Sequence, residues 1–294
     1  GNLTANVSVG EGGSDVYMTA YNGSDVTATV TGGSGEDYVN LSATTEGAIN
    51  ATVAGGSGYD SVTVHGGGDH SNGNNEGNHL SLTGVEQVDV SETYSGVNHI
   101  TADGDLQQAY LSNNGAESYL TVNTGGYDGS STGDVTLTVN GGYGYDNVVV
   151  NADTGANVSL NATYGEGGSY TYVNAYHGGD VTLTVDAGYG YDRVYAESSG
   201  NISANVSVGD GGSYVRASSE GTIDLTVNAG ELNWNWIGTP PTGYSTSFYS
   251  YCVDVNNYVV DPETVTVQSS NSLAISGVTA AGGKAAWLFN TYAA

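Results

Sequence analysis

From the first residue to about residue 231, apolar and polar positions alternate in short runs. Asp25-Val-Thr-Ala-Thr-Val30, Ala48-Ile-Asn-Ala-Thr-Val53, Asp134-Val-Thr-Leu-Thr-Val139, Asn157-Val-Ser-Leu-Asn-Ala162, Asp180-Val-Thr-Leu-Thr-Val185 and Thr222-Ile-Asp-Leu-Thr-Val227 each place aliphatic side chains on one side and Thr, Ser, Asn or Asp on the other. A period of two marks β-strands with one buried and one solvated face. The runs recur roughly every 22 to 24 residues, a period typical of a repeat architecture. Residues 1–16 (GNLTANVSVGEGGSDV) and 200–215 (GNISANVSVGDGGSYV) are near copies.

Stacking the units residue on residue predicts an inward column Leu3, Val26, Ile49, Val158, Val181, Ile202, Ile223, with a neighbouring column of Ala and Leu. The outward columns read Thr4, Thr27, Asn50, Ser159, Thr182, Ser203, Asp224 and Asn6, Thr29, Thr52, Asn161, Thr184, Asn205, Thr226. Such polar ladders can hydrogen-bond from layer to layer. A second short strand follows a glycine turn in each unit, as at Val39-Asn-Leu41, Val62-Thr-Val64 and Val148-Val-Val150. Two strands and two turns per unit predict an all-β fold, a parallel β-solenoid of about ten coils of roughly 22 residues. Stacked at about 4.8 Å per coil, it would be on the order of 50 Å long. An antiparallel stack of hairpins would also alternate, but it gains nothing from identical residues at one fixed period. Residues 60–140 hold that period least well.

Composition divides the chain. All 3 Pro, all 3 Trp, both Phe and the single Cys lie beyond residue 232. The expected domains are therefore a solenoid, residues 1–231, and a small mixed β-rich surface or assembly domain, residues 232–294. The absence of Pro from the first suits an unbroken backbone ladder. One Cys permits no internal disulfide. The net charge of −28 reflects 31 acidic residues against only 3 cationic ones, Arg193, Arg216 and Lys284. So few cations exclude nucleic acid as a partner. No apolar run is long enough for a transmembrane helix. A start at Gly1, without Met, reads as a mature chain from which a signal peptide was removed.

The glycine turns carry the candidate chemistry. Gly32-Gly-Ser-Gly-Glu-Asp37, Gly55-Gly-Ser-Gly-Tyr-Asp60, Gly141-Gly-Tyr-Gly-Tyr-Asp146 and Ala187-Gly-Tyr-Gly-Tyr-Asp192 share one pattern. They resemble the nonapeptide repeats of secreted RTX proteins, Gly-Gly-x-Gly-x-Asp-x-aliphatic-x, which form calcium-bound parallel β-rolls. The resemblance implies Ca²⁺ as cofactor at Asp37, Asp60, Asp146 and Asp192. Here the motif recurs at longer spacing than in that family, and Glu166-Gly-Gly-Ser-Tyr170 and Asp210-Gly-Gly-Ser-Tyr214 carry Tyr near the Asp position. Independently, Asp37 and Asp60 are expected as coil neighbours, and like charges at that spacing repel by about 1 kcal/mol even in water. A hard divalent ion would relieve this; alternatively each Asp closes its turn on backbone amides and points to solvent.

Other features are weaker. His65, Asp69, His70, Glu76 and His79 match no zinc-ligand spacing and read as loop text. The 23 Tyr cluster at turns and serve either as stacked ladders or as a binding face. The Asn-x-Ser/Thr sequons at Asn2, Asn6, Asn22, Asn40, Asn50, Asn157, Asn161, Asn201 and Asn205 follow from the outward ladders, so glycosylation is not specifically indicated. Arg193 and Arg216 read as partners of nearby acids such as Glu197 rather than as a catalytic pair, and the chain is expected not to be an enzyme.

Residues 247–293 resemble a domain of bacterial PEP-CTERM proteins, which are exported and sorted at the cell surface; Tyr251-Cys-Val-Asp254 and Ala286-Trp-Leu-Phe-Asn-Thr-Tyr-Ala293 carry that likeness. Tyr-Cys-Val-Asp is also similar to the cysteine motif of surface thioester adhesin domains, whose Thr-Gln-x-Ala partner does not occur here; Cys252 reads as a buried thiol. Together these features lead to an expected extracellular or cell-surface structural protein that self-associates into a filament or matrix fibre. A cell-surface adhesin binding glycans or other surface polymers is the alternative, and an ice-binding solenoid, using the outward Thr/Asn/Ser ladder, the third reading.

Overall fold

The computed structural model describes residues 1–44, 47–66, 76–92, 97–113, 117–124, 133–153, 155–188, 190–208, 213–219 and 221–229, together with short strands between 251 and 291. It is all-β, and no helix long and apolar enough to cross a membrane occurs among the described residues. The chain forms two compact units, Gly1–Val149 and Val150–Ala294.

In the first unit the strands follow one another as β1 (Leu3–Ser8), β2 (Ser14–Ala20), β3 (Val26–Thr31), β4 (Asp37–Ala43), β5 (Ile49–Ala54), β6 (Ser61–Gly66), β7 (Glu76–Thr83), β8 (Gln87–Glu92), β9 (Val97–Asp103), β10 (Gln108–Asn113), β11 (Glu117–Thr124) and β12 (Val135–Asn140), with β13 (Asp146–Ala152) at the junction. The second unit continues with β14 (Val158–Thr163), β15 (Ser169–Ala175), β16 (Val181–Asp186), β17 (Asp192–Ser198), β18 (Ile202–Val208), β19 (Ser213–Ser219) and β20 (Ile223–Ala229). Odd strands pair in parallel with odd strands and even with even, so each coil contributes one strand to each of two sheets. This is a parallel β-solenoid of about eight regular turns. The ten odd and ten even strands from β1 to β20 agree in number with the roughly ten coils that the repeat predicts, though not all of them are regular. The period is uneven: Thr27 sits against Asn50, Asn50 against His79 and His79 against His99, steps of 23, 29 and 20 residues by subtraction of those numbers. Pairing shifts register within β7 between Glu76 and His79, and β10 and β12 share only Gln108–Tyr110 against Thr138–Asn140.

The core lies between the two sheets. Strand β3 alternates buried and exposed from Val26 to Thr31, and β4 buries Asp37, Val39, Leu41 and Ala43 while Tyr38, Asn40 and Ser42 stay half-buried. Each fully buried Val or Leu contributes about 1.5–3 kcal/mol relative to exposure, repeated coil after coil. The inward residues are small because the two sheets close on a narrow space; Leu and Ile are the largest side chains at full burial.

One expected column is overturned. Leu3, Val26 and Ile49 stack as anticipated on β1, β3 and β5, but Val158, Val181, Ile202 and Ile223 lie on the even strands β14, β16, β18 and β20. The repeated text therefore occupies the odd strand of its coil at Leu3, Val26 and Ile49 and the even strand from Val135 onward. Sequence similarity could not reveal this, because either strand of a two-sheet coil accepts the same alternation.

Between 229 and 294 only short strands are described. Tyr251–Val255 pairs in parallel with β19, and Leu273–Ile275 and Thr279–Ala280 pair with β20. The side chains of this segment, Cys252 among them, lie outside the described residues, as do Asp69 and His70.

Candidate functional site: carboxylates beneath the glycine turns

In the turns before β4 and β6 the backbones stack in direct contact. A Cβ on Gly32 would fall 1.7 Å from the Gly55 carbonyl oxygen, and one on Gly55 would fall 1.9 Å from that of Gly84. No side chain fits between turns stacked this closely. The Asp that ends each turn opens the following strand, or in the case of Asp60 immediately precedes it, at an inward position. Asp37, Asp60, Asp146 and Asp192 are therefore buried, with relative exposures of 4%, 2%, 0% and 0%. The expectation that turn carboxylates point to solvent is thus corrected: strand parity, which sends Val39 and Leu41 inward, sends Asp37 inward as well.

These carboxylates replace missing backbone acceptors. The N–H of Gly33 donates to Asp37 Oδ2 (3.0 Å), and that of Gly142 donates to Asp146 Oδ2 (3.0 Å). Across coils, the Asp37 N–H donates to Asp60 Oδ1 (2.7 Å) and the Asp60 N–H to Glu86 Oε2 (2.6 Å). Ser14, Asp37, Asp60 and Glu86 thus form one column. Asp37 and Asp60 are the coil neighbours expected; Glu86 was missed because its turn, Gly84-Val-Glu86, lacks the glycine pattern. Asp146 and Asp192 are not neighbours of this kind, since the residue opposite Asp192 is Ser169, whose hydroxyl donates to Asp192 Oδ1 (2.8 Å).

Each of the four Asp retains one buried oxygen with no hydrogen-bond partner: Asp37 Oδ1, Asp60 Oδ2, Asp146 Oδ1 and Asp192 Oδ2. A cavity of about 10 Å³ lies under the first two, lined by Asp37, Asp60, Gly32, Gly55 and valines including Val39 and Val62. That volume is the lower limit for one water. Burial raises the pKa of Asp60 against the lowering effect of the Asp37 amide, and the Asp37 charge adds to the rise. Burial likewise raises Glu86, with Asp60 and Asp105 adding to it. It pushes Asp146 and Asp192 up to about 7, although hydrogen bonds from Gly142 and Ser169 pull the other way. These are acids whose charge is poorly solvated, and a proton or a small cation is what such oxygens attract. Among the described residues, no three His, Cys, Asp or Glu side chains converge as a metal site.

A second polar column is buried in the first unit. The Ile49 N–H donates to Asn78 Oδ1 (3.1 Å), Asn78 Nδ2 donates to Asn98 Oδ1 (2.9 Å), and Asn98 Nδ2 donates to the Ser118 hydroxyl (3.4 Å). The aliphatic column Leu3, Val26, Ile49 thus passes into amides and a hydroxyl, all at 0% exposure. Sequence reading missed it because this stretch breaks the period. Exposed Asx ladders bind the turns in both units, through Asn2 and Asp25 and through Asn157, Asp180 and Asn201. The side chains of those three sequon asparagines therefore serve as inter-coil links.

The remaining candidates separate. His65 on β6 contacts Ser91 of β8, whereas His79 on β7 lies in the other sheet. Arg216 pairs with Glu197 at 3.6 Å, as expected, and Arg193 stacks over Tyr191 at 5.1 Å. Tyrosines occupy sheet faces as well as turns: Tyr170 and Tyr172 approach Tyr195 with centroids 5.5 and 6.3 Å apart, while Tyr17, Tyr21 and Tyr143 are about two-thirds exposed. No known protein family, curated protein or solved structure matches this chain.

Proposed function

We propose that this protein is an extracellular structural subunit, a solenoid rod that self-associates into a filament or matrix fibre. The supporting observation is the translational regularity of the coil. Parallel strands repeat in register, and the side-chain links between coils repeat with them: Asn157, Asp180 and Asn201 each pass a hydrogen bond to the next turn. The donor edge of one coil is thus the complement of the acceptor edge of another, including one in a second molecule. Electron microscopy of the chain at increasing concentration should show rods that lengthen; monodisperse particles of constant length at all concentrations would refute the proposal.

Calcium at Asp37, Asp60, Asp146 and Asp192 belongs to the same reading. Its support is the unpartnered buried oxygen that each carboxylate retains. A melting temperature that EGTA leaves unchanged would exclude it.

A second reading, ice binding, gains from the correct stacking. The central outward column of the first unit is Asn6, Thr29, Thr52, Ser81, Thr101 and Thr121. It contains five hydroxyls and an amide in register, more regular than the mixed ladder expected from sequence. Thermal hysteresis, lost in Thr52→Tyr, is its test.

A further inference from the structure

Beside that hydroxyl column, on the same outward face, runs Asn50, His79, His99 and Tyr119 on β5, β7, β9 and β11. His79 and His99 both lie within the stretch that holds the period least well, and the fold sets them opposite each other on neighbouring strands. Their rings stack with centroids 5.0 Å apart and planes 18° from parallel, and Tyr119 stacks on His99 at 5.2 Å. Both imidazoles are exposed.

We propose that His79 and His99 chelate one transition-metal cation of the borderline class, Zn²⁺, Cu²⁺ or Ni²⁺. Imidazole nitrogen suits these ions, whereas calcium prefers oxygen. With metal–nitrogen bonds of about 2.0–2.1 Å in a tetrahedral shell, two nitrogens on one ion stand about 3.3 Å apart. The ring centroids lie 5.0 Å apart, and exposed rings bring their nitrogens to that spacing by tilting their tips together. The parallel register already holds both residues at one height on neighbouring strands, so binding orders no loop.

The electrostatics favour the same step. The net charge of −28 raises the local concentration of cations. The Tyr119 hydroxyl donates to Glu117 Oε2 at 3.0 Å, so Tyr119 is a wall of the site and not a ligand. Two protein ligands leave coordination positions open to water or to a donor from another molecule.

Calorimetric titration of the full chain with Zn²⁺, with Ca²⁺ as control, together with Cu²⁺ electron paramagnetic resonance, tests the proposal. His79→Asn and His99→Asn should each weaken Zn²⁺ binding by about tenfold or more, since even outer-shell partners of a metal cost 10–100-fold. Tyr119→Phe should leave binding intact, and so should His177→Asn, which alters a histidine paired with Asp153 elsewhere. The Cu²⁺ spectrum should show two imidazole nitrogens, reduced to one in either single variant. Circular dichroism establishes that the variants fold. Unchanged Zn²⁺ affinity in the His79→Asn/His99→Asn double variant, dependence on His177, or no Zn²⁺ binding by the folded wild-type chain would each overturn the proposal.

Discussion

Asp192 provides the sharpest test of the buried-carboxylate arrangement. Its side chain is fully buried at the start of β17, accepts the Ser169 hydroxyl on Oδ1 and leaves Oδ2 unpartnered. Burial raises its pKa from 3.8 to about 7. A difference of about 3 units, at 1.36 kcal/mol each, makes ionisation of this group about 4 kcal/mol costlier in the folded chain than in the unfolded one, an upper bound for this site. Between pH 4 and pH 7 the folded chain holds a proton that the unfolded chain has released. Stability is therefore greatest below the unfolded pKa and falls as pH rises toward 7, the reverse of ordinary acid denaturation. In urea unfolding with EGTA present, wild type should become more resistant as pH drops from 8 to about 4.5. Asp192→Asn keeps the shape and an acceptor for Ser169 but cannot ionise, so its stability should lose that share of the pH dependence. Its absolute stability also carries a pH-independent cost of about 1–3 kcal/mol for a buried unpaired amide donor, so the slope is the informative quantity. An identical slope between pH 4 and 7 in wild type and variant would refute the reasoning.

Two further outcomes follow from the stacked turns and the buried amides. Gly55→Ala places a methyl group 1.9 Å from the Gly84 carbonyl oxygen and 2.5 Å from Asp60 Oδ2; thermal unfolding should show a loss exceeding the roughly 1 kcal/mol typical of a point substitution, and an unchanged melting temperature would contradict direct turn-on-turn contact. Asn98→Ala removes the acceptor of Asn78 Nδ2 inside a buried column and should cost about 1–3 kcal/mol in chemical denaturation, whereas Asn50→Ala, on the exposed face, should change stability by less than about 0.5 kcal/mol.

The solenoid was legible in the sequence because its signals are local and repeated. Alternation in Val26–Thr31 dictates a strand wherever it lies, and its recurrence dictates that each coil stacks on the next. The adjacency of Asp37 and Asp60 followed from the same recurrence and holds. The burial of these carboxylates was not foreseen, since a turn residue was assigned by its type while its direction depends on the parity of the next strand. Glu86, Asn78, Asn98 and Ser118 were missed because they occupy inward positions in coils whose spacing departs from the repeat. Their partners lie 20 to 29 residues away, and no local pattern marks them.

The sequence by itself determined the strands, the glycine turns and the parallel stack, because hydrophobic alternation and the steric demand for glycine act within a few residues. Tertiary structure alone decided which sheet each repeated strand joins, and so which residues share a column. It placed the copy beginning at Leu3 on an odd strand and the copy beginning at Ile202 on an even one. It also brought His79 against His99 and turned four acids inward. The physical reason is that a side chain's neighbours in a solenoid are set by coil length summed along the chain, and an excursion of a few residues resets that sum without altering any local signal.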